Sequence, residues 1–166
     1  MIVLVGFMGA GKTTVGRLLA TRLGLPFADA DTVIEGRAGT PIPQIFADRG
    51  EPGFRALEHE TIASLLAGPR LVLALGGGAV EHEQTRHLLR AAEEVVYLDI
   101  SYRGALDRLG NDDRRPMLRR PDLAEVYQRR LATYRAAATL TVSTEGRPPE
   151  DVCAEIVERS REGVAR

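Results

Sequence analysis

The sequence predicts an α/β fold in which helices cover both faces of a parallel sheet. Short apolar runs alternate with helical patterns along the 166 residues, and this alternation favours parallel strands joined by helical crossovers. A glycine-rich loop follows the first apolar run and leads directly into a helical pattern. Ligands of such sheets bind at the carboxyl ends of the strands. The length suits a single domain, 1–166.

Five apolar runs predict the strands. They span residues 2–5, 26–30, 70–75, 95–100 and 140–143. The third run lies between two helical patterns and is continuously apolar after its first residue, which is typical of a strand buried on both faces.

Helical spacing of apolar residues predicts the helices. One follows the glycine-rich loop, and the others are expected at residues 31–37, 42–46, 52–65, 83–92, 103–109, 123–138 and 152–159. Asp31 and Thr40 are predicted to cap the second and third helices. Gly50 is expected to close the third, and Pro52 suits the first turn of the fourth.

Composition excludes several classes of function. The net charge of −1 provides no field that would attract nucleic acid or an anionic membrane. Cys153 is the only cysteine, so no internal disulfide can form. No apolar run reaches the length needed to span a bilayer. We therefore expect a cytoplasmic protein with no nucleic-acid partner and no membrane association. A monomer with small-molecule ligands is also expected, although composition does not give the oligomeric state.

The segment GFMGAGKT, residues 6–13, matches the phosphate-binding loop pattern. Gly6, Gly9 and Gly11 let the backbone approach phosphate oxygens, because no Cβ obstructs them. Lys12 adds a positive charge for the outer phosphates, and the Thr13 hydroxyl is placed to bind Mg²⁺. A glycine-rich turn with a chance lysine is the alternative. The strand before the loop and the helix after it favour a polyphosphate site.

Asp29 and Asp31 lie two residues apart at the end of a predicted strand. One carboxylate can bind Mg²⁺ through water while the other orients an acceptor hydroxyl. Phosphoryl transfer needs both functions. The alternative is that Asp31 only caps the next helix and Asp29 is solvated. Their position one unit after a phosphate loop favours the functional interpretation.

Arginines offer candidate contacts for an anionic acceptor. Arg55 and Glu58 share a helix face and form either a surface ion pair or a guanidinium that Glu58 holds for a substrate carboxylate. Arg135, after Tyr134, is either a surface residue or a second carboxylate-binding arginine. Sequence spacing alone does not decide between these alternatives.

Gly76, Gly77 and Gly78 follow a strand that we expect to be central. Three consecutive glycines expose bare backbone and allow a ligand to approach closely. A permissive turn is the alternative, but a turn rarely requires three glycines.

Residues 110–121 contain charged side chains and two prolines with few apolar anchors. This composition predicts a mobile surface segment, or lid. Arg115, or its neighbour Arg114, could close over a bound nucleotide and exclude water.

Together these motifs resemble the shikimate kinase family from end to end. The segments that carry the resemblance are GFMGAGKTTVGRLLA at 6–20, DADTVIE at 29–35, IFADRGEPGFRALE at 45–58, LGGGAV at 75–80, VVYLD at 95–99, RRPML at 114–118 and YR at 134–135. The phosphate loop is common to many kinases and ATPases. The GE-x-x-FR segment together with the triple glycine is far more specific.

The resemblance implies a nucleoside-monophosphate-kinase-like three-layer sandwich. Its five-stranded parallel sheet would have the order 2-3-1-4-5, with a shikimate-binding region at about 31–60 and a lid at about 110–121. It also implies ATP-dependent phosphorylation of the 3-hydroxyl of shikimate, with Mg²⁺, in aromatic amino-acid biosynthesis.

The resemblance also implies roles for individual residues. Catalysis would involve Lys12, Asp31 and Arg115, and the metal would be bound by Thr13 and Asp29. ATP would contact Gly9, Ala10, Gly11, Lys12, Thr13, Thr14, Arg108, Arg115, Arg147 and Pro149. Shikimate would contact Asp31, Arg55, Glu58, Gly76, Gly77, Gly78 and Arg135.

Two other functions compete with this one. The first is another small-molecule kinase, acting on gluconate or a nucleoside monophosphate. The second is a nucleotide-dependent switch, for which Asp99 at the end of a hydrophobic strand would suit a Walker B acid. A switch has little use for arginines directed at a carboxylate, so we favour the kinase.

Overall fold

The computed structural model describes residues 1–110 and 121–164, and these residues form a five-stranded parallel sheet. The strands are β1 Ile2–Val5, β2 Phe27–Asp29, β3 Val72–Ala74, β4 Glu94–Asp99 and β5 Leu140–Ser143. Their order is β2-β3-β1-β4-β5, and each adjacent pair is parallel. The sheet order expected from the resemblance is therefore confirmed.

Helices cover both faces of the sheet. They are α1 Lys12–Leu23, α2 Ala30–Ala38, α3 Ile42–Leu66, α4 Glu83–Leu89, α5 Tyr102–Leu109, α6 Leu123–Ala137 and α7 Pro149–Val164, with a 3₁₀ helix at Ala79–Glu81. Every predicted helix is present, and most ends agree within three residues. The terminal helix is longer than predicted at both ends.

The central strand β1 anchors the core. Val3 and Leu4 are fully buried, as are Val96 and Leu98 on the neighbouring β4. Burial on both faces explains why these strands lack the polar alternation of an edge strand. A second, smaller apolar cluster of Ile34, Ile45 and Phe54 joins α2 to α3 and supports one wall of the site described below.

Helix α3 contains a break at Gly50, where the sequence predicted one. Gly50 has φ of 66° and ψ of −179°, a conformation that glycine adopts without a Cβ penalty. The predicted cap at Thr40 was wrong, because the helix begins after Pro41. The amide of Ile42 instead donates to the Glu35 carboxylate at 2.9 Å.

Asp29, not Asp31, caps α2. Asp29 is extended and its carboxylate accepts a hydrogen bond from the amide of Asp31 at 3.1 Å. The prediction was wrong because the helix begins immediately after β2, at Ala30. The cap therefore falls on the last residue of the strand. As a result, Asp31 lies in the first turn of α2, and its carboxylate is not used for capping.

Two further predictions from the sequence concern membrane-spanning segments and the lid. In the ranges 1–110 and 121–164, no helix is both long and apolar enough to cross a membrane. Of the predicted lid, 110–121, the structure describes only the first and last residues. Arg114 and Arg115 lie outside the described residues.

Candidate active site

A cavity of about 840 Å³ opens at the carboxyl edge of the sheet. Most of the predicted site residues meet there. These are Gly9, Ala10, Gly11, Lys12, Thr13, Thr14, Asp29, Asp31, Arg55, Glu58, Gly76, Gly77, Gly78, Arg108, Arg147 and Pro149. The cavity also includes residues that the sequence analysis did not single out, among them Met8, Thr32, Ile42, Phe46, Phe54, Arg130 and Thr144.

The phosphate loop wraps one end of the cavity. Gly9 and Gly11 have φ of 77° and 92°, in the region that favours glycine. The Lys12 ammonium donates to the carbonyls of Gly6 at 2.8 Å and Phe7 at 3.0 Å, so its charge is held across the loop. Because glycine is the N-cap of α1, no side chain competes with an anion for the first amides of the helix.

Thr13 and Asp29 form an oxygen-rich pair beside the loop. The Thr13 hydroxyl donates to the Asp29 carboxylate at 2.8 Å. The other carboxylate oxygen of Asp29 accepts the cap hydrogen bond of α2. The strand end of β2 is thus fixed next to the first turn of α1, with a hydroxyl and a carboxylate at the cavity.

Asp31 has an unusually basic carboxylate. Burial raises its pKa to about 6, and the nearby carboxylates of Asp29 and Glu58 add to the effect, while Lys12 opposes it. A carboxylate with this pKa is ionised at neutral pH and is a better proton acceptor than an ordinary aspartate.

Arg55 and Glu58 form a buried ion pair. The Arg55 guanidinium donates to Glu58 at 2.8 Å, and the Glu58 side chain is only 2% exposed. Burial raises the pKa of Glu58, although Arg55 favours its ionised form. Within the described chain, the buried Nε of Arg55 has no hydrogen-bond partner. The Arg55 side chain is only 14% exposed, so the two residues do not form a solvated surface pair.

The structure does not bring Arg135 to the site. Arg135 is exposed and is not among the described residues that line the cavity, whereas Arg130, five positions earlier in α6, is buried and lines it. The sequence held a signal for Arg130. It shares a helical face with Leu123, Val126 and Tyr127, and an arginine on an apolar face needs a specific partner.

The three glycines leave room for charged side chains. A Cβ on Gly76 would lie 2.8 Å from the Asp31 carboxylate, and one on Gly78 would lie 2.6 Å from Arg55 and 3.1 Å from Arg130. None of the three glycines has a positive φ. Backbone conformation therefore requires none of them. The approach of these side chains explains Gly76 and Gly78, whereas a Cβ on Gly77 would meet no atom closer than 3.5 Å.

Arg108 and Arg147 line the far end of the cavity. Arg108 donates to the Gly9 carbonyl at 3.3 Å and to the Thr144 hydroxyl at 3.2 Å, and also contacts the Thr144 carbonyl. Arg147 pairs with Glu155 at 2.6 Å. Arg108 thus ties α5 to the phosphate loop and to the end of β5.

Asp99, the candidate Walker B acid, is not among the described residues that line the cavity. Its carboxylate accepts a hydrogen bond from the Tyr97 hydroxyl at 2.7 Å. This contact gives Asp99 a structural partner within β4.

The sheet order and the phosphate loop at its carboxyl edge define the nucleoside-monophosphate-kinase-like fold, and the proteins that match the chain make it a small-molecule kinase. A sequence profile of the family described as "Shikimate kinase" matches residues 8–161. The chain belongs to the shikimate kinase family, and the resemblance drawn from its motifs is confirmed.

Relatives match almost the whole chain. A shikimate kinase of Pseudomonas syringae pv. syringae is 48% identical over 165 residues, covering 97% of this chain and 96% of that protein. A shikimate kinase of Thermobifida fusca is 49% identical over 154 residues, covering 91% and 89%. The structure of a shikimate kinase from Acinetobacter baumannii in complex with shikimate has a TM-score of 0.92 and 38% identity, covering 98% of this chain and 93% of that one.

The raised pKa of Asp31 predicts a stability penalty at neutral pH. Its pKa is about 6 in the folded protein against an ordinary value of 3.8, so the folded state binds more protons between these values. The free energy of unfolding then falls as pH rises through this window, by about 3 kcal/mol in total. Asp31→Asn should raise the free energy of unfolding by about 2–3 kcal/mol at pH 7.5 and by roughly half as much at pH 5, measured by urea unfolding.

Asp107→Asn is the matched control, because Asp107 is exposed and is not among the described residues that line the cavity. It should change the free energy of unfolding by less than about 0.5 kcal/mol at both pH values. An Asp31→Asn variant with the same stability change at pH 5 and pH 7.5 would contradict the raised pKa.

Proposed function

We propose that this protein transfers the γ-phosphoryl group of ATP to the 3-hydroxyl of shikimate, giving shikimate 3-phosphate and ADP. One observation carries the proposal. Two arginines and a basic carboxylate share one cavity with a phosphate loop. Such a cavity can hold a small hydroxy acid against a triphosphate, and phosphoryl transfer depends chiefly on that positioning.

Arg55 and Arg130 are proposed to bind the shikimate carboxylate. Both guanidinium groups approach Gly78, at 2.6 and 3.1 Å from the position of its absent Cβ. Two cations that converge on one point repel each other, and a carboxylate between them would relieve that repulsion. Phe46 and Phe54, stacked 4.4 Å apart, supply an apolar wall for the ring of the acceptor.

Asp31 is proposed to orient the acceptor hydroxyl and to take its proton. Its pKa of about 6 suits a group that must be ionised at neutral pH and still accept a proton. The proximity of Asp31 to Gly76 supports a role at the ring hydroxyls, where the glycine backbone adds polar contacts.

The donor end would hold ATP along the phosphate loop. Residues 9–14 would contact the phosphates, with Lys12 on the outer ones. Arg108, Arg147 and Pro149 would form the nucleotide end of the cavity. Arg115 stays a prediction, as the residue that would close over the transferred phosphoryl group.

Thr13 and Asp29 fit a magnesium site, because hydroxyl and carboxylate oxygens are the ligands that Mg²⁺ prefers. Their 2.8 Å contact keeps both oxygens at the same place beside the phosphate loop. When bound, the metal would neutralise charge on the phosphate oxygens.

A coupled assay of ADP release across acceptors tests the function. With ATP and Mg²⁺, we expect turnover with shikimate and at least about 100-fold lower kcat/KM with gluconate or a nucleoside monophosphate, because only shikimate pairs a carboxylate with a cyclic triol. Turnover with either alternative acceptor and none with shikimate would overturn the proposal.

Arg130→Ala and Arg135→Ala form a matched pair, since both remove an arginine from α6. Arg130→Ala should raise the KM for shikimate by at least about tenfold and change the KM for ATP by less than about twofold, because a charge-assisted contact is lost at the acceptor only. Arg135→Ala should leave both constants within about twofold. The reverse pattern in steady-state kinetics would identify Arg135, and not Arg130, as the second arginine that binds the carboxylate.

Asp29→Asn separates capping from metal binding. Asparagine caps a helix as well as aspartate does, so the melting temperature should stay within about 2 °C. The Mg²⁺ concentration for half-maximal rate should rise several-fold, because a carboxylate charge is lost. Asp29→Ala, the control, also loses about 1 kcal/mol of stability. An unchanged Mg²⁺ dependence in Asp29→Asn would exclude Asp29 from the metal site.

A further inference from the structure

We propose that Glu81 is a positioning residue for acceptor binding, which sets the orientation of the Arg130 guanidinium. The proposal rests on the function proposed above for Arg130. Glu81 ends the 3₁₀ helix Ala79–Glu81, which directly follows the glycine segment, residues 76–78.

The two oxygens of the Glu81 carboxylate have different partners. Oε2 accepts from Nε of Arg130 at 2.9 Å and lies 2.7 Å from its Nη2. Oε1 accepts from Nε and Nη2 of Arg129 at 3.3 and 3.2 Å. Arg129 is 62% exposed and the Arg130 side chain only 7%. The inner contact is therefore the one shielded from water.

Glu81 holds one edge of the Arg130 guanidinium and leaves the other toward the cavity. The carboxylate engages the Nε and Nη2 edge. The remaining nitrogen, Nη1, lies 3.5 Å from the position of a Cβ on Gly77. Since a guanidinium is planar, fixing one edge fixes the direction of the others.

A buried arginine needs such a partner. Without a counter-charge, Arg130 would be drawn toward solvent or would incur a large desolvation cost. Burial would raise the pKa of Glu81, but hydrogen bonds and charge from Arg130 and Arg129 outweigh burial and lower it. Glu81 therefore remains an anion at neutral pH.

The backbone that carries Glu81 is itself fixed. Arg86, from α4, donates to the carbonyls of Val80 at 2.7 Å and Glu81 at 2.9 Å. On the other side, the Tyr134 hydroxyl of α6 donates to the Gly77 carbonyl at 2.6 Å. The Tyr134 hydroxyl also shares a hydrogen bond with the Arg130 side chain, and Glu81 is the partner that brings a negative charge to the guanidinium.

Glu81→Gln tests the proposal, because it keeps the shape of the side chain and removes its charge. We expect the KM for shikimate to rise about tenfold, the size of one charge-assisted hydrogen bond. The KM for ATP and kcat should change by less than about twofold. With shikimate methyl ester, which has no carboxylate, Glu81→Gln and wild type should have the same KM within about twofold.

Arg129→Ala is the matched control, since it removes only the outer partner of Glu81. It should leave the KM for shikimate within about twofold. In an Arg130→Ala background, Glu81→Gln should cause no further rise in KM, because there is no guanidinium left to orient. Circular dichroism checks that each variant is folded. If Glu81→Gln does not fold, Glu81→Asp provides the same test, because the shorter carboxylate cannot reach both nitrogens.

The outcomes separate this proposal from the one on which it rests. If Arg130→Ala raises the KM for shikimate tenfold while Glu81→Gln leaves it within twofold, Glu81 has no positioning role. The proposed binding of the shikimate carboxylate by Arg55 and Arg130 then stands. If Arg130→Ala itself has no effect on that KM, Arg130 does not bind the shikimate carboxylate, and the proposed role of Glu81 is wrong as well. An equal rise of KM for shikimate and its methyl ester would show general damage to the cavity and overturn the positioning role.

Discussion

A parallel sheet ends all of its strands at one edge, and the candidate site is assembled around that edge. The phosphate loop follows β1, Asp29 is the last residue of β2, and the glycine segment follows β3. With β1 central and β3 between β1 and β2, these three strand ends are neighbours, although they are far apart in sequence. Loops at such an edge can differ in sequence while the sheet that positions them stays the same.

The charges around the cavity are arranged mostly as pairs. Arg55 lies against Glu58, Arg130 against Glu81, and Arg147 against Glu155. Each acid fixes the direction of its arginine before any ligand arrives, so less conformational freedom is lost on binding. Asp31 differs from these acids, because burial and neighbouring carboxylates dominate its surroundings. Such an environment favours proton transfer over structural pairing.

Local patterns in the sequence predicted most of the fold, because a buried strand, a phosphate loop and a glycine break each have a short signature. The predictions that the structure contradicts, the helix caps at Thr40 and Asp31, differ from the observed caps by one or two residues. Arg130 and Arg135 lie about 140° apart around a helix of 3.6 residues per turn, so choosing between them requires the direction of the buried face. Leu123, Val126 and Tyr127 mark that face. The helix cap moved from Asp31 to Asp29 because β2 and α2 have no residue between them. The role of Arg115 stays a prediction, since it lies outside the described residues.

The glycine segment has a thermodynamic consequence for the whole chain. None of the three glycines has a positive φ, so alanine could adopt the same backbone conformation at each position. Each glycine nevertheless gives the unfolded chain more conformational freedom than alanine would, which is worth about 0.4–1 kcal/mol. Three in succession lower the free energy of unfolding by roughly 1–3 kcal/mol. This protein is therefore less stable than its topology permits, and the deficit arises where side chains from α2, α3 and α6 need the volume that a methyl group would fill.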